Sequence, residues 1–304
     1  MPELPDVTVY IEALRRFIAG RPIEGIRLAS PFLLRTAEPA LSSATGRIVQ
    51  GVRRIGKRIV WELEGGLFLV FHLMIAGRFH WKKRGAALNA KTGLASFDFE
   101  NGSLFLTEAS SKKRASLHVV AEEAAVAQFA MGGVEPIDCT LAEFETALRR
   151  ENHTLKRSLT DPSIVAGIGN AYSDEILHRA KLSPILLTNK MTADEAKRLH
   201  SSMRTVLQEW TERLRAQVGD RFPEKVTAFH DAMAVHGRHG QPCPVCGSPV
   251  QRIVRADHET NYCPACQTGG KLLADRALSR LLGEDWPRSL DEMERMREVH
   301  RGSA

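Results

Sequence analysis

The sequence predicts an α+β protein of several domains: an N-terminal helix with a β-sandwich, then a helical domain, then a C-terminal hairpin built on four cysteines. Three observations carry this reading. Eight short runs rich in β-branched and aromatic residues, separated by turn residues, lie between positions 25 and 120. Past Ala121 the apolar spacing changes to that of helices. Two Cys-x-x-Cys pairs follow at Cys243–Cys246 and Cys263–Cys266.

Val7, Ile11, Leu14, Phe17 and Ile18 recur at helical spacing behind Pro5-Asp6, and Gly20-Arg21-Pro22 stops the pattern. Strands are expected at 25–28, 47–52, 58–63, 67–72, 77–81, 95–99, 103–107 and 116–120, with two-residue hairpin turns at Gly65-Gly66 and Asn101-Gly102. Helices are expected over 141–151, 153–160, 171–180 and 192–218, the last opening on a Thr192/Glu195 capping box. Residues 219–241 read as a connection, with turns at Phe222-Pro223 and 237–240. An apolar-striped helix is expected over 271–282 and a charged tail over 283–304. The resulting domain plan is 1–121 for the sandwich, 122–236 for the helices, 237–268 for the cysteine hairpin and 269–304 for an extension of unassigned role.

Sixteen residues separate the two cysteine pairs, and the runs 250–255 and 260–262 between them read as the strands of a hairpin. That spacing suits a ribbon in which Cys243, Cys246, Cys263 and Cys266 hold one structural Zn2+. Disulfides are the alternative for four paired cysteines, but nothing else in the sequence points to an oxidising compartment. Cys139 is left over as a small buried apolar residue.

Forty-two Lys and Arg against 36 Asp and Glu give a net charge of +6, and a pI near 9.2 favours a polyanionic partner. Zinc held by four thiolates carries about two negative charges, so the preference survives metal binding. No secretory segment and no run of eighteen apolar residues is found, which makes a cytoplasmic protein with no membrane partner the expectation.

The chain begins Met1-Pro2-Glu3-Leu4-Pro5-Asp6. Removal of Met1 turns Pro2 into a secondary α-amine, a class that ordinarily titrates at roughly 7.7–8.0 and is partly neutral at physiological pH. Such an amine can attack C1′ of a deoxyribose and form an iminium ion, an electron sink for strand-cleaving elimination, with Glu3 moving the proton. In the helical region, Gly167-Ile-Gly169-Asn170 joins two helices by a turn that exposes backbone amides beside an Asn side chain, a pairing suited to a phosphate.

Pro-Glu-Leu-Pro at the start, Lys57 in Arg54-Ile-Gly-Lys-Arg-Ile59, His72-Leu73 with Gly77, the Gly-Ile-Gly-Asn-Ala-Tyr-Ser-Asp-Glu segment and the terminal ribbon occur in one order. Together they resemble the formamidopyrimidine-DNA glycosylase and endonuclease VIII family over roughly residues 2–268. The resemblance implies a helix plus β-sandwich, a helix-two-turn-helix α domain and a C-terminal four-cysteine zinc ribbon, with damaged double-stranded DNA held between the domains and a base flipped out. It implies Pro2 as Schiff-base nucleophile, Glu3 as acid/base, Lys57 near the DNA backbone and Asn170 on a phosphate. Tyr172 and Glu175 also fall on family positions, Glu175 fixing the loop from behind, and His72 reads as structural. A monomeric enzyme of the bacterial cytoplasm and nucleoid is implied.

The departures from the family pattern touch the residues that read the duplex. Asp6 stands where Glu is common, and Ile75 stands where a methionine fills the gap left by the flipped nucleotide. In Ser111-Lys112-Lys113-Arg114-Ala115-Ser116 the Arg facing the orphaned base becomes Lys113, and the intercalating Phe becomes Ala115. Lys113 and Arg114 keep the loop cationic for phosphate contact, but a lysine lacks the bidentate fork of arginine. His258 stands where the family's ribbon carries a phosphate-clasping Arg, with Arg255 nearby, so DNA affinity is expected to weaken from about pH 6 to 8.

The expected function is a bifunctional DNA glycosylase and apurinic-site lyase removing damaged, chiefly oxidised, bases by β,δ-elimination. Two other readings stay open at this level. One is a non-catalytic binder of damaged DNA on the same scaffold; the other is a zinc-ribbon module that binds another nucleic acid or a protein.

Overall fold

The structure is a computed structural model and describes residues 1–224, 226–227, 230–255, 258–274, 283 and 287–301. Two compact units emerge: residues 1–133 with 207–228, and residues 134–206 with 229–304.

The first unit starts with α1 (Leu4–Ile18), whose face of Leu4, Val7, Tyr10, Ile11, Leu14 and Ile18 is buried. Eight strands follow: β1 (Gly25–Leu28), β2 (Val49–Ile55), β3 (Arg58–Leu63), β4 (Leu67–His72), β5 (Gly77–Lys82), β6 (Gly93–Phe99), β7 (Gly102–Glu108) and β8 (Ser116–Ala121). They make two antiparallel sheets, ordered β1-β6-β7-β5 and β2-β3-β4-β8, and α1 packs against β2 and β3. Aromatic rings fill the core. Trp61 lies 4.8 Å from Phe71 and 5.1 Å from Phe97, centroid to centroid.

Leu67-Phe-Leu-Val-Phe71 is apolar without alternation because β4 is covered on both sides. Leu69 and Phe71 point into the main core, while Phe68 and Val70 pack with Val60 and Val126. Val126 belongs to α2 (Glu123–Ala127), a short helix the sequence reading lacks.

Both predicted hairpin turns shift when the register is known. Leu63 pairs with Leu67, so the first connection has three residues, with Gly65 and Gly66 at φ 74° and 70°. Phe99 pairs with Gly102, so the second turn is Glu100-Asn101. Gly102 is needed for a different reason: a Cβ there would lie 2.6 Å from the Trp81 ring.

Residues 122–133 and 207–228, expected with the helices from sequence, fall in the same compact unit as the sandwich. Val126 completes the outer apolar cluster, and Phe222 and Val226 enter the main core. Phe222 lies 5.5 Å from Phe17 and 6.1 Å from Tyr10. Its neighbour Pro223 had marked a turn, but burial of the ring decides where this segment goes.

The second unit holds α3 (Leu141–Arg149), α4 (Leu155–Thr160), α5 (Asn170–Ala180) and the first part of α6 (Ala193–Val218). Thr140/Glu143 and Thr192/Glu195 cap α3 and α6 reciprocally. The ribbon follows as β9 (Gln251–Arg255), β10 (His258–Tyr262) and α7 (Pro264–Thr268), and α8 spans Leu290–Arg301. The helix expected over 271–282 falls largely at 275–282, outside the described residues. Lys271 instead bridges to Ser289, and the predicted charged tail contains α8.

Candidate functional site

One end of the sandwich gathers the predicted catalytic residues. Glu3 is the N-cap of α1, and its backbone N–H donates to Asp6 Oδ2 at 2.9 Å. Pro2, Glu3 and Asp6 are all buried. Asp6 sits at the third helical position, where a short carboxylate reaches the cap, so the Asp in place of the family's Glu has a structural task here.

Burial holds the pKa of the Met1 amine below its usual value of 8.0; Glu3 and Asp6 oppose this, while Arg78 and Lys57 act with it. Two carboxylates and two cations therefore lie within electrostatic reach of the N-terminus. Lys57 arrives by a tight turn, since Ile55 pairs with Arg58 and Gly56 takes φ 57°. Arg58 in turn pairs with His72, which pairs with Ser116, so the Lys57 turn, residues 73–76 and the 109–115 loop share one end of the fold.

Arg78 is the residue sequence reading missed, although its place after the Gly77 motif was a usable signal. Its guanidinium donates to the carbonyls of Ile75 at 3.1 Å and Gly77 at 2.6 Å. Gly77 closes the turn: its N–H donates to Leu73 O at 2.9 Å, and an added Cβ would stand 2.3 Å from that oxygen. Ile75 is thereby held out at 59% exposure. Burial, with Arg58, Lys57 and His118 adding to it, pushes His72 down to about 4, leaving it neutral beside Lys57.

In the basic loop the two predicted cations part company. Lys113 turns inward, donating to the backbone carbonyls of Lys91 and Glu108, whereas Arg114 is exposed. The backbone amides of Arg114 and Ala115 donate to Glu108 Oε2 at 2.9 and 3.1 Å. Ala115 is 3% exposed and belongs to the main core, so nothing at that position projects as a wedge. Buried Glu108 carried no sequence signal.

The second unit holds the 161–169 turn and the ribbon. α4, the 161–169 turn and α5 form the helical pair, with Gly167 at φ 79°. Asn170 Nδ2 donates to Glu259 O of β10 at 2.8 Å, so the predicted phosphate ligand is also a tie to the hairpin. Lys156 Nζ donates to Asn170 O at 2.7 Å and to Asp174 Oδ1 at 2.5 Å. Asp174 Oδ2 takes His236 Nδ1 at 2.8 Å and the Asn261 N–H at 3.2 Å. Glu175 accepts the backbone amides of Ala234, Val235 and His236 at 2.8–3.0 Å. No periodicity or spacing announced Lys156, Asp174 or His236, because their partners are between 14 and 87 residues away.

The four sulfurs of Cys243, Cys246, Cys263 and Cys266 lie within 4.8 Å of one another, and all four thiols are free. The pairs Cys243–Cys266 and Cys246–Cys263 are 4.0 and 3.4 Å apart, bracketing the separation of about 3.8 Å that a tetrahedron with Zn–S of roughly 2.3 Å requires. Gly247 at φ 76° turns the first knuckle, and Cys263 caps α7. Desolvation opposes ionisation at Cys246, but hydrogen bonds from Ser248, Cys263 and Cys266 hold it down at about 6, while burial pushes Cys266 up to about 11. His178 Nε2 lies 3.2 Å from Cys243 Sγ, a contact from α5 to the knuckle. Arg255 and His258 pair across the hairpin as backbone positions, and residues 256–257 between them lie outside those described. No described helix is long and apolar enough to cross a membrane.

Family models match in three stretches. Residues 1–120 match the formamidopyrimidine-DNA glycosylase N-terminal domain, 133–219 its H2TH domain and 240–269 the zinc finger found in FPG and IleRS. The formamidopyrimidine-DNA glycosylase of Thermus thermophilus is 33% identical over 281 residues, covering 89% of this chain and 100% of the relative. That of Heliobacterium modesticaldum is 34% identical over 282 residues, covering 88% and 100%. An uncharacterized formamidopyrimidine-DNA glycosylase-like protein of Mycobacterium tuberculosis is 41% identical over 150 residues, 49% of this chain and 93% of that protein. Among solved structures, Lactococcus lactis Fpg in complex with an abasic site containing DNA superposes with a TM-score of 0.78 at 26% identity, covering 88% of this chain and 99% of the other. MutM in complex with carbocyclic 8-oxo-G containing DNA gives 0.78 at 27% identity, covering 88% and 100%.

Proposed function

The chain belongs to the formamidopyrimidine-DNA glycosylase family, and from that premise we propose a bifunctional DNA glycosylase and abasic-site lyase of base excision repair that works through Pro2. The observation that carries the residue-level reading is the convergence of the N-terminal amine, buried Glu3 and the cations Lys57 and Arg78 at the start of α1. With Met1 removed, burial and the same two cations act on the Pro2 amine. They favour its neutral form, the one with a free electron pair.

The chemistry then runs in balanced steps. Pro2 N forms a bond to C1′ and loses its proton, while the C1′–base bond breaks and the base leaves with that electron pair and a proton. Glu3 delivers a proton to O4′ as the sugar ring opens, giving the iminium. Loss of a C2′ proton expels the 3′ phosphate, a second elimination expels the 5′ phosphate, and water hydrolyses the iminium to free Pro2. Lys57 and Arg78 offset the charge of phosphates brought beside the amine. Oxidised bases are the substrate class, in keeping with the 8-oxo-G and abasic-site DNA held by the solved relatives.

One Zn2+ held by Cys243, Cys246, Cys263 and Cys266 is structural, and supplies the folding energy of a ribbon with almost no apolar core of its own. Asn170 and the ribbon bind DNA phosphates, and Arg114 supplies the exposed cation of the sandwich loop. An enzyme of this class works where chromosomal DNA lies, in the bacterial cytoplasm, and as a monomer.

The test is borohydride trapping on duplex DNA with one abasic site, using protein whose N-terminus is verified by intact mass. A covalent adduct lost in Pro2→Gly and slowed in Glu3→Gln is expected. Correctly processed protein that binds the duplex but gives no adduct would identify a non-catalytic binder of damaged DNA.

A further inference from the structure

We infer that Phe32 is the aromatic residue that stacks on the base pair beside the lesion, a role that rests on the DNA-repair reading above. The loop at 109–115 contains no aromatic residue, and its Ala115 is buried in the core. Phe32, by contrast, is 76% exposed, the most exposed large apolar side chain among the described residues. Water is a poor environment for such a ring, and a single exposed aromatic is unremarkable unless its surroundings suit a ligand. Here they do.

Phe32 is the middle residue of a 3-10 turn, Pro31–Leu33, whose backbone is held at both ends. On one side Ala29 and Ser30 both donate to Leu94 O, at 2.9 and 3.0 Å. On the other, Arg35 donates to Leu117 O at 2.9 Å, Leu34 and Leu117 form a parallel bridge, and Val119 donates to Thr36 Oγ1 at 2.8 Å. Leu33 anchors the turn in the core at 1% exposure.

These attachments locate the ring. Leu94 is three residues past Lys91, whose carbonyl receives Lys113, and Leu117 is three residues past Arg114. The bridge pairs Leu34 with Leu117, and the 3-10 turn that carries Phe32 packs against β8, which begins directly after the basic loop. The same end carries Ile75, exposed on the turn after His72, because His72 pairs with Ser116. The ring thus stands on a backbone fixed to the segments that flank the basic loop, and Arg35, Lys112 and Arg114 of these segments are all exposed. A rigid aromatic projecting from a cationic surface is the arrangement that stacks on nucleic-acid bases while the cations hold the backbone. Its attachment next to β8 puts it at the end of the sandwich that also carries Ile75 and the basic loop, the end of the proposed lesion site. A preformed 3-10 turn also avoids the ordering cost of a flexible loop.

The experiment uses full-length protein and a duplex carrying a tetrahydrofuran abasic-site analogue, with 2-aminopurine at the neighbouring base pair. Wild-type protein is expected to change the 2-aminopurine fluorescence on binding. Phe32→Ala should weaken binding by about fivefold or more and lose that change, since one base–aromatic stack is worth roughly 1–3 kcal/mol. Phe32→Trp should restore both, with its own emission quenched by the duplex. Thermal unfolding and zinc content of Phe32→Ala should match wild type, which separates lost stacking from misfolding. Wild-type binding together with an unaltered Phe32→Ala affinity and fluorescence change would overturn the role of Phe32 alone. No wild-type binding to this duplex would overturn the DNA-repair reading, and Phe32's role with it.

Discussion

Asp174→Asn tests the polar centre of the second unit. Asp174 is fully buried and joins three groups that come from separate parts of the chain: the Lys156 ammonium at 2.5 Å, His236 Nδ1 at 2.8 Å and the Asn261 N–H at 3.2 Å. Asn keeps the shape and one oxygen but removes the charge. Lys156, only 12% exposed, then loses its counter-ion, and leaving one charge of a buried pair uncompensated typically costs about 3–5 kcal/mol. With a urea dependence of roughly 2 kcal/mol per molar, the unfolding midpoint of this unit should fall by about 1.5–2.5 M. Urea unfolding followed by circular dichroism, with zinc release read by a chromogenic chelator, measures both the loss and its place. The reasoning also demands that Lys156→Met combined with Asp174→Asn recover part of the stability, because the stranded charge is gone. A single variant within about 1 kcal/mol of wild type, or a double variant no more stable than the single, would refute it.

Acidification gives an independent check through His72, whose folded pKa of about 4 lies below its ordinary 6.5. The unfolded chain takes up the proton first, so this contribution is complete above about pH 6.5 and is lost as pH falls toward 4, up to about 3 kcal/mol. His72→Gln should flatten the stability profile between pH 6.5 and 4, measured by thermal unfolding, and an unchanged slope would exclude His72 as its source. Arg78→Gln removes a cation that lowers the N-terminal amine pKa, so the acidic limb of borohydride trapping should move to higher pH, with rates converging with wild type above about pH 9. An unshifted limb would mean that Arg78 does not act on the nucleophile. Cys246→Ser should reduce zinc from about one equivalent per chain to a small fraction and abolish DNA binding. Metal analysis and a gel-shift titration read both, and retained metal with retained binding would remove the ribbon from the interface.

Local chemistry made the elements legible in the sequence. Turn residues separated the eight strands, a capping pair marked the start of α6, and cysteine spacing identified the ribbon, because each signal resides in a few neighbouring residues. The motif order pointed to Pro2, Glu3, Lys57 and Asn170 and to the family. Tertiary structure alone decided what depends on pairing over long separations. Register lengthened the first hairpin turn by one residue and moved the second by one, and burial put Phe222 and Val226 into the sandwich core. The carboxylates of Glu108, Asp174 and Glu175 found their partners only through folding. The different fates of Lys113, turned onto the backbone, and Phe32, held in the open, have the same cause. A side chain's exposure is set by which distant segment packs beside it, and one-dimensional spacing does not contain that information.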